Sequence, residues 1–255
     1  MDFYFDVSIA ANYKSNSQKA RVLSEYWVGK NMYCPICGKS HICNLRNNMP
    51  VADLRCDRCG EIFELKSKKG KIGKTIPDGS YFTMIERINS AKNPHLFVLS
   101  YNDDQKVTDL TFIPKFFFVD SIIQRRKPLP PGDRRAGWIG CKILYNDIPC
   151  QGRIEIIRDS SLKAKSDVVL QYSRIKNLQT DHLESRGWLM DVLNLVNRTK
   201  ETEFSLEELY GYASFLEHKY PNNHNIKAKI RQQLQVLRDK GIVEFRGRGK
   251  YRKLM

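Results

Sequence analysis

Two periodicities organise the apolar residues of this chain. After Ser15 and Gln18, a Ser-x-x-Gln capping-box pair, Leu23, Tyr26, Trp27 and Lys30 follow at helical spacing beside Ala20 and Val22, which predicts a first helix. Glu25 on this helix reads as a solvated surface carboxylate, with a metal-site role as the alternative. The period then drops to two. Ala52 and Leu54 alternate with Asp53 and Arg55, and Phe63 and Leu65 with Glu64 and Lys66, which predicts a hairpin starting at Val51. In such a hairpin Glu64 and Lys66 point the same way and Asp53 can lie opposite Glu64. Residues 70–79, basic and glycine-rich, are expected as a loop, either contacting a backbone of phosphates or merely flexible. A helix over residues 81–91, with Met84, Ile85, Ile88 and Ala91 on one face, is followed by strands near 96–99, 107–113, 139–144 and 152–157. The polar residues 159–182 are expected to connect to a second domain, which divides the chain at 1–182 and 183–255.

In that second part Trp188, Leu189, Val192, Leu193 and Val196 trace one amphipathic helix. A second follows a Ser205/Glu208 capping box with Leu206, Leu209, Tyr210 and Phe215, and a third carries Ile226, Ile230, Leu234 and Leu237. Gly241 is placed to end the third helix, and two short strands flank Arg246, Arg248 and Lys250. Three helices and a glycine-turned basic hairpin match a winged helix, whose third helix enters the major groove of DNA. A winged helix can also bind protein.

Charge favours nucleic acid: 43 Lys and Arg against 28 Asp and Glu give +15, and a protein this basic meets a polyanion more often than not. The basic side chains concentrate where DNA contacts are expected. Residues 124–138, broken by proline and glycine, form a loop carrying Arg125, Arg126, Lys127, Arg134 and Arg135. The third helix adds Lys229, Arg231, Gln232 and Gln233, and the wing adds Arg246, Arg248 and Lys250. Trp138 beside the loop is either a core residue or a ring that meets a base edge or methyl group. No apolar run approaches the roughly 20 residues a membrane span needs, and four of the seven cysteines form two C-x-x-C pairs, so the chain is read as cytoplasmic.

Those pairs, Cys34/Cys37 and Cys56/Cys59, each precede a glycine and bracket residues 38–55, the spacing of a four-cysteine zinc ribbon. Four thiolates leave no open coordination position, so the zinc is expected to be structural. Cys43 and His41 lie between the pairs as possible substitutes. Asp53 with Glu64 and Lys66 has the arrangement of a magnesium nuclease: two carboxylates, with the Leu65 carbonyl as a third ligand, anchor the ion, and the lysine steadies developing charge or orients water. Taken alone the pattern is weak, since charges alternate on many exposed strands.

Beyond these motifs, residues 13–21 (YKSNSQKAR), 50–53 (PVAD), 63–70 (FELKSKKG), 134–141 (RRAGWIGC), 230–235 (IRQQLQ) and 245–253 (FRGRGKYRK) give the chain, along its whole length, a resemblance to the DpnI family of methyl-directed type II restriction endonucleases. The resemblance implies an α+β PD-(D/E)XK nuclease domain with an inserted four-cysteine zinc site, followed by a helix-rich winged-helix domain. It implies cleavage of double-stranded DNA at GATC carrying N6-methyladenine. Asp53, Glu64 and Lys66 become the catalytic set, with Mg2+ on Asp53, Glu64 and Leu65, and Cys34, Cys37, Cys56 and Cys59 the zinc set. The proline that the family places directly before the first acid is absent, Pro50 lying three residues ahead of Asp53. The N6-methyl projects into the major groove as an apolar bump that Trp138 can read, with Gln232 or Gln233 contacting bases. A monomer is expected. Two rivals stand beside this reading, a DNA-binding regulator without catalysis and a magnesium nuclease of broader specificity.

Overall fold

The computed structural model describes residues 1–45, 52–90, 93–180 and 183–255; Pro50, Val51 and Ala91 lie outside them. The first helix, α1 (Asn16–Asn31), starts after Ser15 as predicted, but the Ser15 side chain pairs with Ser17 rather than capping the helix. It buries Leu23, Trp27 and Val28, while Tyr26 stays exposed. There follow β1 (Cys43–Asn44), β2 (Leu54–Arg55), β3 (Ile62–Lys69), β4 (Thr75–Ser80), α2 (Tyr81–Ile88), β5 (His95–Tyr101), β6 (Val107–Ile113), β7 (Ile123–Arg125), β8 (Gly140–Leu144), β9 (Ile154–Arg158), β10 (Ser161–Leu162) and α3 (Lys165–Ile175).

Seven of these strands form one mixed sheet in the order β1-β2-β3-β5-β6-β9-β10, in which β3 and β5 run parallel. A parallel pair needs a long crossover, and here it is made by β4 and α2. β4 then joins β8 and β7 in a separate three-stranded sheet. This corrects the loop expected over 70–79: Pro77 is tolerated because β4 is an edge strand, paired on one side with β8.

Alternation along β3 and β5 sends Phe63, His95 and Phe97 to one face. There Phe63 stacks on Phe97 at 5.0 Å, and Phe112 of β6 meets Phe97 at 5.7 Å. Tyr172 of α3 packs on this cluster, 5.9 Å from Phe112. The polar connection expected over 159–182 is therefore largely a helix of the core, with Val168 and Ile175 buried on the same stripe as Tyr172. Glu64 and Lys66 point to the other face, toward β4 and α2.

The C-terminal part consists of α4 (Leu183–Arg198), β11 (Glu203–Ser205), α5 (Leu206–Tyr210), α6 (Ala213–Lys219), α7 (Ile226–Asp239), β12 (Val243–Gly247) and β13 (Lys250–Lys253). Two features correct the expectation. The second helix is split in two at Gly211, and β11 adds a third strand to the wing, in the order β11-β13-β12. The Ser205/Glu208 capping box forms in full, and Gly241, at φ +71°, follows the end of α7 in the left-handed conformation that glycine adopts without strain. Trp188 of α4 is fully buried and stacks on Tyr220 at 3.8 Å.

The two parts contribute to one buried apolar cluster and also touch through polar groups. Gln151 and Asn197 exchange amide hydrogen bonds of 2.9 Å, and Asn194 donates to the Asp147 carbonyl at 2.7 Å. Among the described residues, no helix is long and apolar enough to cross a membrane.

Phe112 touches rings from three other elements, so its removal leaves a void that none of them can fill alone. Phe112→Ala should cost about 3–5 kcal/mol in denaturant unfolding, whereas Phe215→Ala, at an exposed position, should cost less than ~1 kcal/mol.

Candidate active site and structural metal centre

Each cysteine pair is built as a tight turn. The Cys34 N–H donates to the Lys39 carbonyl at 2.8 Å and Gly38 N–H to Cys34 at 2.9 Å; Cys56 and Gly60 repeat the pattern at 2.9 Å each. Gly38 and Gly60 adopt φ +73° and +76°, which explains the glycine after each pair. The four sulfurs lie within 4.8 Å of one another, with Cys34–Cys59 at 3.7 Å and Cys37–Cys56 at 3.6 Å. A tetrahedral zinc with Zn–S bonds of about 2.3 Å has S···S edges of about 3.75 Å, so the four residues fit the ion. Burial pushes the Cys34 thiol up, and the backbone N–H groups of Cys37 and Ile36 pull the other way. Cys43 is exposed and outside the cluster.

The knuckle at Cys56–Cys59 forms the tip of the hairpin. Below it, Leu54 pairs with Phe63 and Arg55 with Ile62, and Asp53 precedes β2 close enough to Glu64 for that charge to act on it. The Asp53 N–H donates to the Phe63 carbonyl at 2.9 Å, and its carboxylate accepts from Leu65 N–H at 2.8 Å. Burial pushes the Asp53 carboxyl up; the Leu65 bond opposes this, and the nearby negative charge of Glu64 adds to it. Both Glu64 oxygens are engaged by cations, Oε1 by Lys66 Nζ at 2.6 Å and Oε2 by Arg87 Nη2 at 2.6 Å. Lys66 Nζ also reaches Asp78 Oδ1 at 2.6 Å. Burial alone would lower the Lys66 ammonium, but Glu64 and Asp78 outweigh it and hold it above its ordinary value.

Two facing carboxylates, one of them disfavoured by burial and repulsion, suit a hard divalent cation bound through oxygen. Such an ion would have to draw an oxygen of Glu64 away from Lys66 or Arg87. Glu25, expected at the surface, is instead half-buried beside Asp53. Burial, then the charge of Asp53, pushes its carboxyl up, and Arg21 at 3.2 Å pulls the other way.

The Dam-replacing (DpnI) family matches residues 1–181, and the Dam-replacing helix-turn-helix domain matches residues 184–253. The chain belongs to the Dam-replacing family. Family membership implies a methyl-dependent restriction endonuclease with a DNA-binding helix-turn-helix domain.

For this family member the placement of the expected DNA contacts can be followed one by one. Arg126, Arg134 and Arg135 are exposed on a loop that leaves β7 and returns as β8; Arg125, also exposed, closes β7 and stacks on Tyr81 and Phe82. Trp138 is half-buried at the base of this loop, covered by the Arg135 guanidinium at 4.6 Å. Its ring occupies the space where a side chain on Gly140 would sit, since a Cβ there would come within 2.8 Å. Trp138 is thus neither a core residue nor free: it is a ring seated on glycine among arginines.

Arg231 and Gln232 are exposed on α7, as are Arg246, Arg248 and Lys250 on the wing, whose tip turns through positive φ from Gly247 to Gly249. Lys229 is half-buried, its ammonium 5.9 Å from the Trp188 ring. Gln233 corrects the expectation. It is 5% exposed, on the core stripe with Ile226, Ile230 and Leu237, and faces away from any groove. The 3.6-residue period carried that information, because 233 lies three residues after Ile230 and four before Leu237.

Three residues around the site escaped the sequence reading. Asp78 lay in the supposed loop. Arg87 occupies the apolar stripe of α2, three residues after buried Met84, where a charge requires a buried partner. Phe82 is 61% exposed, a large aromatic open to solvent beside Arg125.

The protein as purified should carry one zinc per chain by metal analysis. Cys34→Ser should lose the metal and lower the thermal midpoint, because metal binding and folding are coupled. Cys43→Ser should leave the metal content intact and change stability by less than about 0.5 kcal/mol.

Proposed function

We propose that the chain is a type II restriction endonuclease that uses Mg2+ to hydrolyse phosphodiester bonds in double-stranded DNA at GATC sites carrying N6-methyladenine. One juxtaposition carries the reading: the Asp53 carboxylate accepts from the Leu65 N–H within reach of the Glu64 charge, with Lys66 Nζ 2.6 Å from Glu64, in a chain of the Dam-replacing family. Residues 1–182 would form a PD-(D/E)XK nuclease domain held by a four-cysteine zinc, and residues 183–255 a winged-helix domain. The protein would act as a cytoplasmic monomer.

Asp53, Glu64 and the Leu65 carbonyl would hold the magnesium, which when bound supplies a Lewis acid that lowers the pKa of water and neutralises charge on the phosphate. Glu64 and Asp78 hold the Lys66 ammonium above its ordinary value, which favours the protonated form. It therefore acts as a donor and a positive charge: Nζ steadies the negative charge that develops on the phosphate oxygens, or orients the attacking water. Asp53 is held by the Leu65 N–H, which fixes one carboxylate oxygen and directs the other.

Arg125, Arg126, Arg134 and Arg135 would position the duplex through phosphates, as would Arg246, Arg248 and Lys250 on the wing. Arg231 and Gln232 on α7 are the base-contact candidates. Trp138 supports methyl reading by its setting: a partly exposed apolar ring, fixed on Gly140 and bordered by arginines, offers a surface to which an N6-methyl adds contact area.

A digestion separates this reading from its rivals. With magnesium, plasmid methylated at GATC should be cut and unmethylated plasmid left intact, and Asp53→Ala should reduce cutting by about 10³-fold or more. No cutting by the parent protein would point to a non-catalytic regulator, and cutting of both plasmids to a broader nuclease. Trp138→Ala should narrow the preference for methylated over unmodified DNA by roughly 10-fold, an apolar contact being worth about 1–3 kcal/mol. An unchanged preference would remove Trp138 as the reader.

A further inference from the structure

We propose that Asp78 is the positioning residue for Lys66, fixing its Nζ beside Glu64 and tying it to the strand pair that presents Trp138. The proposal rests on the catalytic reading of Lys66 given above.

A lysine ammonium sits at the end of four rotatable bonds and has three protons to donate. Paired with Glu64 alone, Nζ would swing with that side chain. Here it lies between two carboxylates, 2.6 Å from Glu64 Oε1 and 2.6 Å from Asp78 Oδ1. Two of its donors are thereby assigned and one is left for a phosphate oxygen or water.

Asp78 can hold the lysine because it is itself held. Its side chain is 5% exposed, and its Oδ1 also accepts the Gly79 N–H at 2.7 Å. Its backbone pairs with Cys141 of β8, and the Cys141 thiol donates to the Gly79 carbonyl at 3.5 Å. The same β4–α2 unit is fastened next to Trp138, where Tyr81 N–H donates to the Ile139 carbonyl at 3.0 Å. It holds the second catalytic group too, since Arg87 of α2 binds Glu64 at 2.6 Å. One strand-and-helix unit therefore grips both Lys66 and Glu64 and is hydrogen-bonded to the base of the recognition loop. The placement of Trp138 against DNA and the placement of Nζ against the scissile phosphate are set by one piece of backbone.

A purely structural ion pair would show as lost stability, or as an equal loss of rate whether or not Lys66 is present. The test is a double-mutant cycle in the full-length chain, read by single-turnover cleavage of a duplex with one methylated GATC and by duplex affinity with calcium in place of magnesium. Asp78→Asn should slow cleavage by roughly 30- to 100-fold, the scale of a displaced catalytic group, and change the duplex Kd less than about 2-fold. Lys66→Ala should be slower still, and adding Asp78→Asn to it should cost nothing further. Asp78→Ser serves as the second removal if the asparagine variant fails to fold.

A cleavage rate within about 3-fold of parent would overturn the proposal. A Kd increase that accounts for the loss, or a full multiplicative loss in the double variant, would do the same. If Lys66→Ala itself cleaved at the parental rate, the catalytic reading beneath the proposal would be the part that fails.

Discussion

Register in a two-residue strand is the constraint on which the placement of Asp53 beside Glu64 depends. β2 contains only Leu54 and Arg55, too short to hold its own alignment against β3. A slip of one residue would send Asp53 to the opposite face from Glu64. The Cys56–Cys59 knuckle begins one residue after β2, and its sulfurs converge with those of Cys34 and Cys37 to spacings that suit a tetrahedral ion. That closure pins the tip of the hairpin to the segment following α1. On the other side β3 is locked by seven parallel pairings with β5, from Phe63↔His95 to Lys69↔Tyr101. Asp53 thus lies between a cysteine knuckle and a sheet interior, which is why one carboxylate can be held in place by a strand so short.

How legible this was from the sequence depends on the kind of signal. The hairpin alternation and the paired C-x-x-C-G units are local patterns enforced by backbone geometry, and they placed Asp53, Glu64, Lys66 and the four cysteines in their observed neighbourhoods. β4 was hidden because Pro77 and Gly79 are turn formers, and nothing local indicates that an edge strand can absorb them. α3 was readable from Val168, Tyr172 and Ile175, but its surrounding charge made it look like a connection. Gln233 was misread because a polar side chain on a basic helix suggested a groove contact, while its spacing assigned it to the core. Arg87 and Asp78 could have been found only by asking what a buried charge pairs with, which is a tertiary question.

The electrostatics of the site follow from that burial. Two carboxylates on neighbouring strands repel, and in a partly desolvated setting their charges need compensation. The chain supplies Lys66 and Arg87, both bound to Glu64, while Asp53 takes a backbone N–H and is pushed up by burial and by Glu64. The arrangement is therefore asymmetric: Glu64 is neutralised by side chains and Asp53 is not. A cation entering the site would find its strongest unmet demand at Asp53 and would have to compete for Glu64. Arg87 can yield by rotating a long side chain, whereas Lys66 remains anchored by Asp78.

The contact between the two parts of the chain is apolar and polar at once, since both contribute to one buried cluster. It includes amide pairs such as Gln151–Asn197 and single bonds such as Asn194 to the Asp147 carbonyl. Polar contacts of this sort cost little to exchange for water, because each partner is satisfied either way. The α4–α7 core, built on Trp188, Leu193, Leu234 and Leu237, does not depend on them. The loop bearing Trp138 is hydrogen-bonded to β8 and α2, through Arg126 N–H to the Gly140 carbonyl and Tyr81 N–H to the Ile139 carbonyl. The seat of that loop is thereby continuous with the β4–α2 unit that grips Lys66 and Glu64.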